Sequence, residues 1–254
     1  MSTPPQPRPM LEGETVLVTG GSGGIGRATV EVMHREGAHV VLHYARGATE
    51  ARQIRAALGG RIHLVQGDLA DAQHRHDIWQ QALAWRGRID VLVNNAGAWL
   101  ASPLADNQDW SRGWDANLAL NLQAPADLCR AAILHFQEHG GGAIVNVASR
   151  SSHRGDDAEH LAYGAAKGGL LALTKGIARG FAGDNILAYA VAPGWVGTGI
   201  SAHLSEEHDQ LNSLPLREMT PPADVAEVIA FLASGRSRHT TGATVDITGA
   251  DYVR

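Results

Sequence analysis

The chain has 254 residues, 44% of them hydrophobic and 19% charged, which suits one α/β domain with a sizeable core. Its 26 acidic residues outnumber 21 basic ones, a formal charge of −5 at pH 7, and with no Lys/Arg cluster this argues against a nucleic-acid partner. One cysteine, Cys129, excludes an internal disulfide, and no run is apolar enough for a membrane span or secretory signal, so a cytoplasmic protein without membrane contact is expected.

Residues 1–10, proline-rich and aperiodic, read as a disordered tail, and 11–254, without linker or repeat, as one domain. Thr15 to Thr19 reads as a short buried strand running into the glycine turn Gly20 to Gly26, and a helix follows to about Glu36 with Ala28, Val32 and Met33 on one face. A glycine-rich turn between a strand and a helix N-terminus lets backbone N–H groups approach a pyrophosphate, with the helix dipole favouring its charge. A second strand, His39 to His43, a short helix, Thr49 to Leu58, and a third strand, Ile62 to Gln66, come next, the last ending at Asp68-Leu69. Asp71 to Trp85 reads as a helix with Asp71 near its N-cap, and Asp90 to Asn94 as a fourth strand. This alternation predicts a single Rossmann-type, doubly wound parallel sheet in three layers, α/β/α, with ligands at the carboxyl ends of the strands, where Asp68, Asn94 and Asn95 sit.

Farther on, Gln108 to Glu138 reads as one long helix, Ile144 to Ser149 as a strand, and Leu161 to Phe181 as another long helix. The latter carries Tyr163 and Lys167 one turn apart on one face. A free phenol titrates near pH ~10, and an adjacent ammonium favours the phenolate, so this pair is a candidate acid/base couple. Gly199 to Leu216 reads as a helix-containing lid, and Val245 to Gly249 as the last strand. The 13 histidines are scattered; even His135 and His139, at i,i+4, lack the glutamate of a zinc motif, and no metal is expected.

In this order the motifs resemble those of the short-chain dehydrogenase/reductase superfamily, collinearly from about Leu11 to Tyr252. Thr19 through Gly26 matches its Thr-Gly-x-x-x-Gly-x-Gly turn, and Asn94 through Gly97 its Asn-Asn-Ala-Gly segment. Ser149 matches the serine after the fifth strand, Tyr163 and Lys167 the Tyr-x-x-x-Lys pair, and Pro193-Gly194 with Thr198 the segment after the sixth strand. The resemblance implies a hydride transferred between NADP(H) and a carbonyl or secondary alcohol. Tyr163 would exchange the proton, Lys167 would lower its pKa and bind the nicotinamide ribose, and Ser149 would hold the substrate oxygen. Asn121 is chosen over Asn117, one turn away, for a water-holding role, leaving Asn117 a plain helix residue.

The resemblance also implies the cofactor contacts. Gly20, Ser22, Gly24, Ile25 and Gly26 would take the pyrophosphate end; Asp68, Leu69, Asn95, Ala96 and Gly97 would flank the adenosine; Pro193, Gly194, Val196 and Thr198, with Tyr163 and Lys167, would flank the nicotinamide. At the end of the second strand, Tyr44 and Arg46 replace the acidic residue of NAD-preferring relatives, so Arg46 would fork onto a 2′-phosphate and NADP(H) is favoured over NAD(H). Trp99, Trp195 and Leu204 are expected to reach the substrate.

The segment Arg150 to His160 is one residue longer than usual and strongly polar. Ser151 or Ser152 competes there for the role of Ser149, and the loop suits a polar ligand, a salt-bridged interface or plain solvation. The two long helices carry spare apolar surface, which in the family pairs subunits into dimers and tetramers. The alternative reading is a catalytically silent NADP(H)-binding regulator on the same fold.

Overall fold

The computed structural model describes residues 9–198 and 208–254. Seven strands form one parallel sheet: β1 (Thr15–Val18), β2 (His39–Tyr44), β3 (Ile62–Gln66), β4 (Val91–Asn94), β5 (Gly142–Val147), β6 (Ile186–Pro193) and β7 (Thr244–Ile247). Their order across the sheet is β3-β2-β1-β4-β5-β6-β7. After β3 the chain therefore crosses to the far side of β1, and the strand order reverses between β1 and β4. Such a reversal opens a crevice at the carboxyl ends of the two strands.

The strands divide their side chains between two helical layers with a period of two. Val16, Val18, Val40, Leu42, Val91 and Val93 face one core, which is closed by α1 (Gly24–Arg35), α2 (Ala48–Leu58) and α9 (Pro222–Ala233). Leu17, Val41, Leu92 and Ile144 face the other, closed by α3 (Ala72–Arg86), α5 (Ala124–His139) and α7 (Leu161–Phe181). Both faces of the sheet are covered, which is why its strands read as near-continuous apolar runs. Each fully buried Val, Leu or Ile contributes about 1.5–3 kcal/mol of transfer free energy. Among the described residues no helix is long and apolar enough to cross a membrane.

The helix expected over 108–138 runs without a gap from 107 to 139 but changes its hydrogen bonding partway. It consists of α4 (Asn107–Leu118), a π turn (Ala119–Gln123) and α5. Pro125 explains the π turn: it has no N–H for the Asn121 carbonyl four residues back, and its ring crowds that carbonyl. The Ala124 N–H reaches back instead to the Ala119 carbonyl.

Asp71 and Asp106 cap α3 and α4, each accepting two backbone N–H bonds. Asp71 is the cap the sequence suggests; Asp68 accepts instead from Ala70 N–H at 2.9 Å. Helix α1 differs: it begins at extended Gly23 with no side-chain cap, leaving its first N–H groups to whatever occupies the crevice. Of the expected tail, residues 1–8 lie outside the described residues, as do 199–207 of the expected lid, including Leu204; the lid's later part contains α8 (His208–Ser213).

Candidate active site

The crevice has a volume of about 870 Å³ and runs from the glycine turn to Tyr163. Its first wall is main chain. Gly20 turns the chain at φ +66°, a left-handed conformation open to glycine at no steric cost. The turn is anchored from two sides. Thr19 Oγ1 accepts the N–H groups of Asn95 at 2.9 Å and Ala96 at 3.0 Å, while Asn95 Nδ2 donates to the Thr19 carbonyl at 2.8 Å. On the other side Gly20 N–H donates to His43 Nδ1 at 3.3 Å, and His43 Nε2 meets the Gly67 carbonyl at 3.0 Å. This arrangement needs a neutral ring protonated on Nε2, and burial holds the His43 pKa down at about 4.

Of the residues expected here, Gly20, Ser22, Gly24, Ile25, Arg46, Asp68, Leu69, Asn95, Ala96 and Gly97 line the crevice. Two do not. Gly26 stands behind the turn, where a Cβ would fall 2.0 Å from the Gly20 carbonyl oxygen, so glycine there allows α1 to close on the strand rather than touching a ligand. Tyr44 is 8% exposed and belongs to the core, because the strand's alternation turns it inward beside Leu42. His43 and Ala45 are the β2-end residues, besides Arg46, that reach the crevice. Arg46 lies exposed at the rim, its carbonyl accepting Ser22 Oγ at 3.3 Å. The Glu50 carboxylate approaches Gly47 behind it and does not line the crevice.

The opposite wall is built from side chains. Tyr163, Lys167, Ser149, Pro193, Gly194, Val196 and Thr198 line it, joined by Leu120, Val147 and Ala148. Lys167 Nζ donates to the Val147 carbonyl at 2.8 Å and lies 5.9 Å from the centre of the Tyr163 ring. The Tyr163 phenol is neighboured by the Ser149 hydroxyl, which favours its ionised form, and Ser149 Oγ accepts Ser151 N–H at 3.1 Å. Ser151 Oγ donates to Asp156 at 2.7 Å, and Ser152 Oγ accepts Ser149 N–H at 3.2 Å. Both competing serines are thus engaged behind the strand end, and Ser149 faces the crevice.

Asn121 does not line the crevice but stands directly behind it. Its Oδ1 accepts Ala98 N–H at 3.1 Å, and its Nδ2 donates to the Ala98 carbonyl at 2.9 Å and to Asn117 Oδ1 at 3.1 Å. A Cβ on Gly97 would meet both Asn121 Oδ1, at 2.7 Å, and Lys167 Nζ, at 3.3 Å, so these two polar groups converge on one backbone position. Asn117 is not the plain helix residue expected. It is fully buried and donates to the Leu100 and Gly113 carbonyls, holding Asn121 in orientation. The shared helical face of 117 and 121 was the signal for this; which of the two would be the support was not in the spacing.

The charge states differ from expectation. Burial pushes the Tyr163 phenol up to about 12, opposed by the Ser149 hydrogen bond and reinforced by the Asp156 carboxylate. Burial pushes Lys167 down to about 8. Burial, and not the neighbouring amine, governs the phenol in the protein alone.

Trp99 and Trp195 also depart from expectation: neither lines the crevice. They meet edge to face at 6.4 Å, with His160 stacked on Trp99 at 3.7 Å and the Arg150 guanidinium 4.5 Å over Trp195. Arg150 pairs with Asp251, His153 stacks on Tyr252, and His160 binds Asp157 at 2.6 Å. The polar segment after Ser149 is thus held at its first half and at His160, while Gly155 and Asp157 to Glu159 are exposed to solvent. Its first half forms a one-turn helix, α6 (Ser151–Arg154), against the C-terminal residues.

A reversed parallel sheet with an uncapped helix at the reversal defines a Rossmann-type α/β protein, and the Ser149, Tyr163 and Lys167 cluster narrows its class. Comparison with known proteins agrees. The family described as enoyl-(acyl carrier protein) reductase matches residues 20–249. The chain is 32% identical to 3-oxoacyl-(acyl-carrier-protein) reductase of Thermotoga maritima over 94% of its length and 98% of the relative's. It is 32% identical to nodulation protein G of a Rhizobium species, covering 94% and 97%. A solved structure of a candidate NAD(P)-dependent gluconate 5-dehydrogenase from Beutenbergia cavernae, with NADP bound at low occupancy, superposes with TM-score 0.86 at 33% identity, covering 95% and 98%. The chain belongs to the short-chain dehydrogenase/reductase superfamily, and so to the NAD(P)-dependent oxidoreductases.

Proposed function

We propose that the protein is an NADP(H)-dependent carbonyl reductase or alcohol dehydrogenase in which Tyr163 exchanges the proton. The convergence of Ser149, Tyr163 and buried Lys167 on the crevice that opens on the glycine turn carries this reading. The residues present fit the dinucleotide. The N–H groups at the start of α1 and the bare backbone of Gly20, Gly23 and Gly24 would cradle the pyrophosphate, Arg46 at the rim would take a 2′-phosphate, and Asp68 with Leu69 would flank the adenosine. When bound, the nicotinamide supplies or accepts the hydride.

The chain's own groups do the rest. Ser149 orients the substrate oxygen by its hydroxyl, which lines the crevice beside Tyr163. Tyr163, held neutral at physiological pH, is poised as the acid for reduction: it hydrogen-bonds the carbonyl oxygen and donates its proton as negative charge develops there. Lys167 is cationic in most molecules at pH 7 and stabilises the phenolate left behind. Asn121, braced by Asn117, holds the backbone of Ala98 beside that amine. A silent regulator would have no use for a phenol, hydroxyl and amine gathered over the crevice, which disfavours that alternative.

The decisive experiment titrates the purified protein with NADPH and NADH and then follows NADPH oxidation over a panel of ketones, aldehydes and 3-oxoacyl thioesters. Turnover with NADPH that disappears in Tyr163→Phe is expected. NADPH binding without turnover on any carbonyl would reverse the assignment in favour of the regulator. The reading includes a cytoplasmic homodimer or homotetramer. Support for assembly comes from an apolar groove of about 390 Å³ between α5 and α7, lined by Ala126, Ile133, Leu134, Leu173 and Phe181 among others. Sedimentation as a monomer at micromolar concentration would remove this part.

A further inference from the structure

Arg75 lies outside the crevice, yet it joins two of its walls. It ends the first turn of α3 with its side chain only 9% exposed. Its Nη1 donates to the Leu69 carbonyl at 2.8 Å and to the Ala70 carbonyl at 3.1 Å, and its Nε donates to Asp127 Oδ2 at 2.7 Å. Asp127 occupies the first turn of α5, and its other oxygen accepts Gln123 Nε2 at 2.8 Å. Gln123 closes the π turn that carries Leu120 and Asn121.

A guanidinium withdrawn from water is costly unless its donors are met, and a methionine would pack α3 as well without that cost. What the arginine adds is geometry. Its planar fork sets the spacing between the β3–α3 loop and the start of α5. On the first side of that fork Leu69 lines the adenosine end of the crevice; on the second, Leu120 lines the reacting end and Asn121 grips Ala98. The π turn is the part of this helix most able to yield, since Pro125 leaves the Asn121 carbonyl without its helical donor.

We propose that Arg75, acting through Asp127, is a positioning residue that couples occupancy of the adenosine end to the placement of the π turn and of Asn121. The inference rests on the reading of the crevice as an NADP(H) site. A ligand seated against Leu69 fixes the loop carbonyls; those fix the guanidinium, and the guanidinium fixes the first turn of α5. By linkage, order in the π turn strengthens binding at the adenosine end by the same factor.

Amide hydrogen exchange with adenosine 2′,5′-bisphosphate tests this, because that fragment carries the adenosine half and no nicotinamide to touch residues 119–123. In the wild type the fragment slows exchange at 68–70 and also, by at least about fivefold, at 119–123. In Asp127→Ala protection persists at 68–70 and is lost at 119–123. Gln123→Ala, at an exposed position, reduces the distant protection and serves should Asp127→Ala fail to fold. Protection confined to 68–70 in the wild type, or unchanged at 119–123 in the variants, overturns the coupling. Absence of any binding of the fragment or of NADPH by calorimetry overturns the cofactor reading, and the coupling with it.

Discussion

The two ends of the crevice are made of different materials. At the end proposed for the adenosine the crevice presents main-chain N–H groups and exposed side chains, Arg46 and Asp68. At the end proposed for the reaction it presents the side chains of Tyr163 and Lys167, whose charge states are set by desolvation, with the phenol raised to about 12 and the amine lowered to about 8. The contrast teaches that binding and chemistry rest on separable physics here. Backbone donors keep their character at any pH, whereas buried ionisable groups change theirs with whatever enters beside them.

Substitutions at the two ends should therefore fail differently. The largest effect belongs to Tyr163→Phe, which removes the proton donor and keeps the ring: kcat should fall by about 10²–10⁴-fold while NADPH, followed by its fluorescence, still binds. An equal loss of binding would merge the two ends into one.

The second test lies at the adenosine end, where His43 supports the glycine turn. Its pKa is pushed from 6.5 to about 4, so between those values the unfolded chain binds the proton and the folded chain does not. Stability conferred by the neutral ring is complete above pH 6.5 and declines as the pH falls toward 4, by about 3 kcal/mol. Urea unfolding at pH 7 and 4.5 should show that His43→Gln loses less over this interval than the wild type. Parallel losses would show that other groups govern acid stability.

Gly26→Ala drives a Cβ into the Gly20 carbonyl and should destabilise the fold by about 1–3 kcal/mol, seen as a lower Tm, with NADPH affinity falling as the turn shifts. Retained affinity would mean that the turn's shape matters less than its N–H groups. The smallest effect is expected at the exposed rim: Arg46→Ala should weaken NADPH about tenfold by fluorescence titration and leave NADH unchanged. An unaltered preference would place the 2′-phosphate contact elsewhere.

The strands and the glycine turn were legible because each depends on local pattern, whereas most residues of the crevice were legible through the resemblance to the superfamily. Alternation places Val16 and Val18 on one face and Leu17 on the other, and a glycine run between strand and helix has few other uses. Tyr44 was misread for the same reason that the strand was read well: the period of two extends through β2 to its last residue and sends that ring into the core. The rings of Trp99 and Trp195 were beyond reach because their partners, His160 and Arg150, come from distant stretches of chain. Asn117 shows the intermediate case, a face legible from spacing and a role that needed the Leu100 carbonyl to define it.

By itself, then, the order of residues determined an α/β chain with its strands, its glycine turn, and a tyrosine and a lysine one helical turn apart. Those are consequences of short-range geometry, which repeats wherever the same few residues recur. Only the tertiary structure decided which groups are buried together, and with that the protonation of Tyr163, Lys167 and His43, the bracing of Asn121, and the path from Arg75 to the π turn. The reason is that desolvation and hydrogen-bond satisfaction depend on every atom within a few ångströms, and in a folded chain most of those atoms belong to residues far away in sequence.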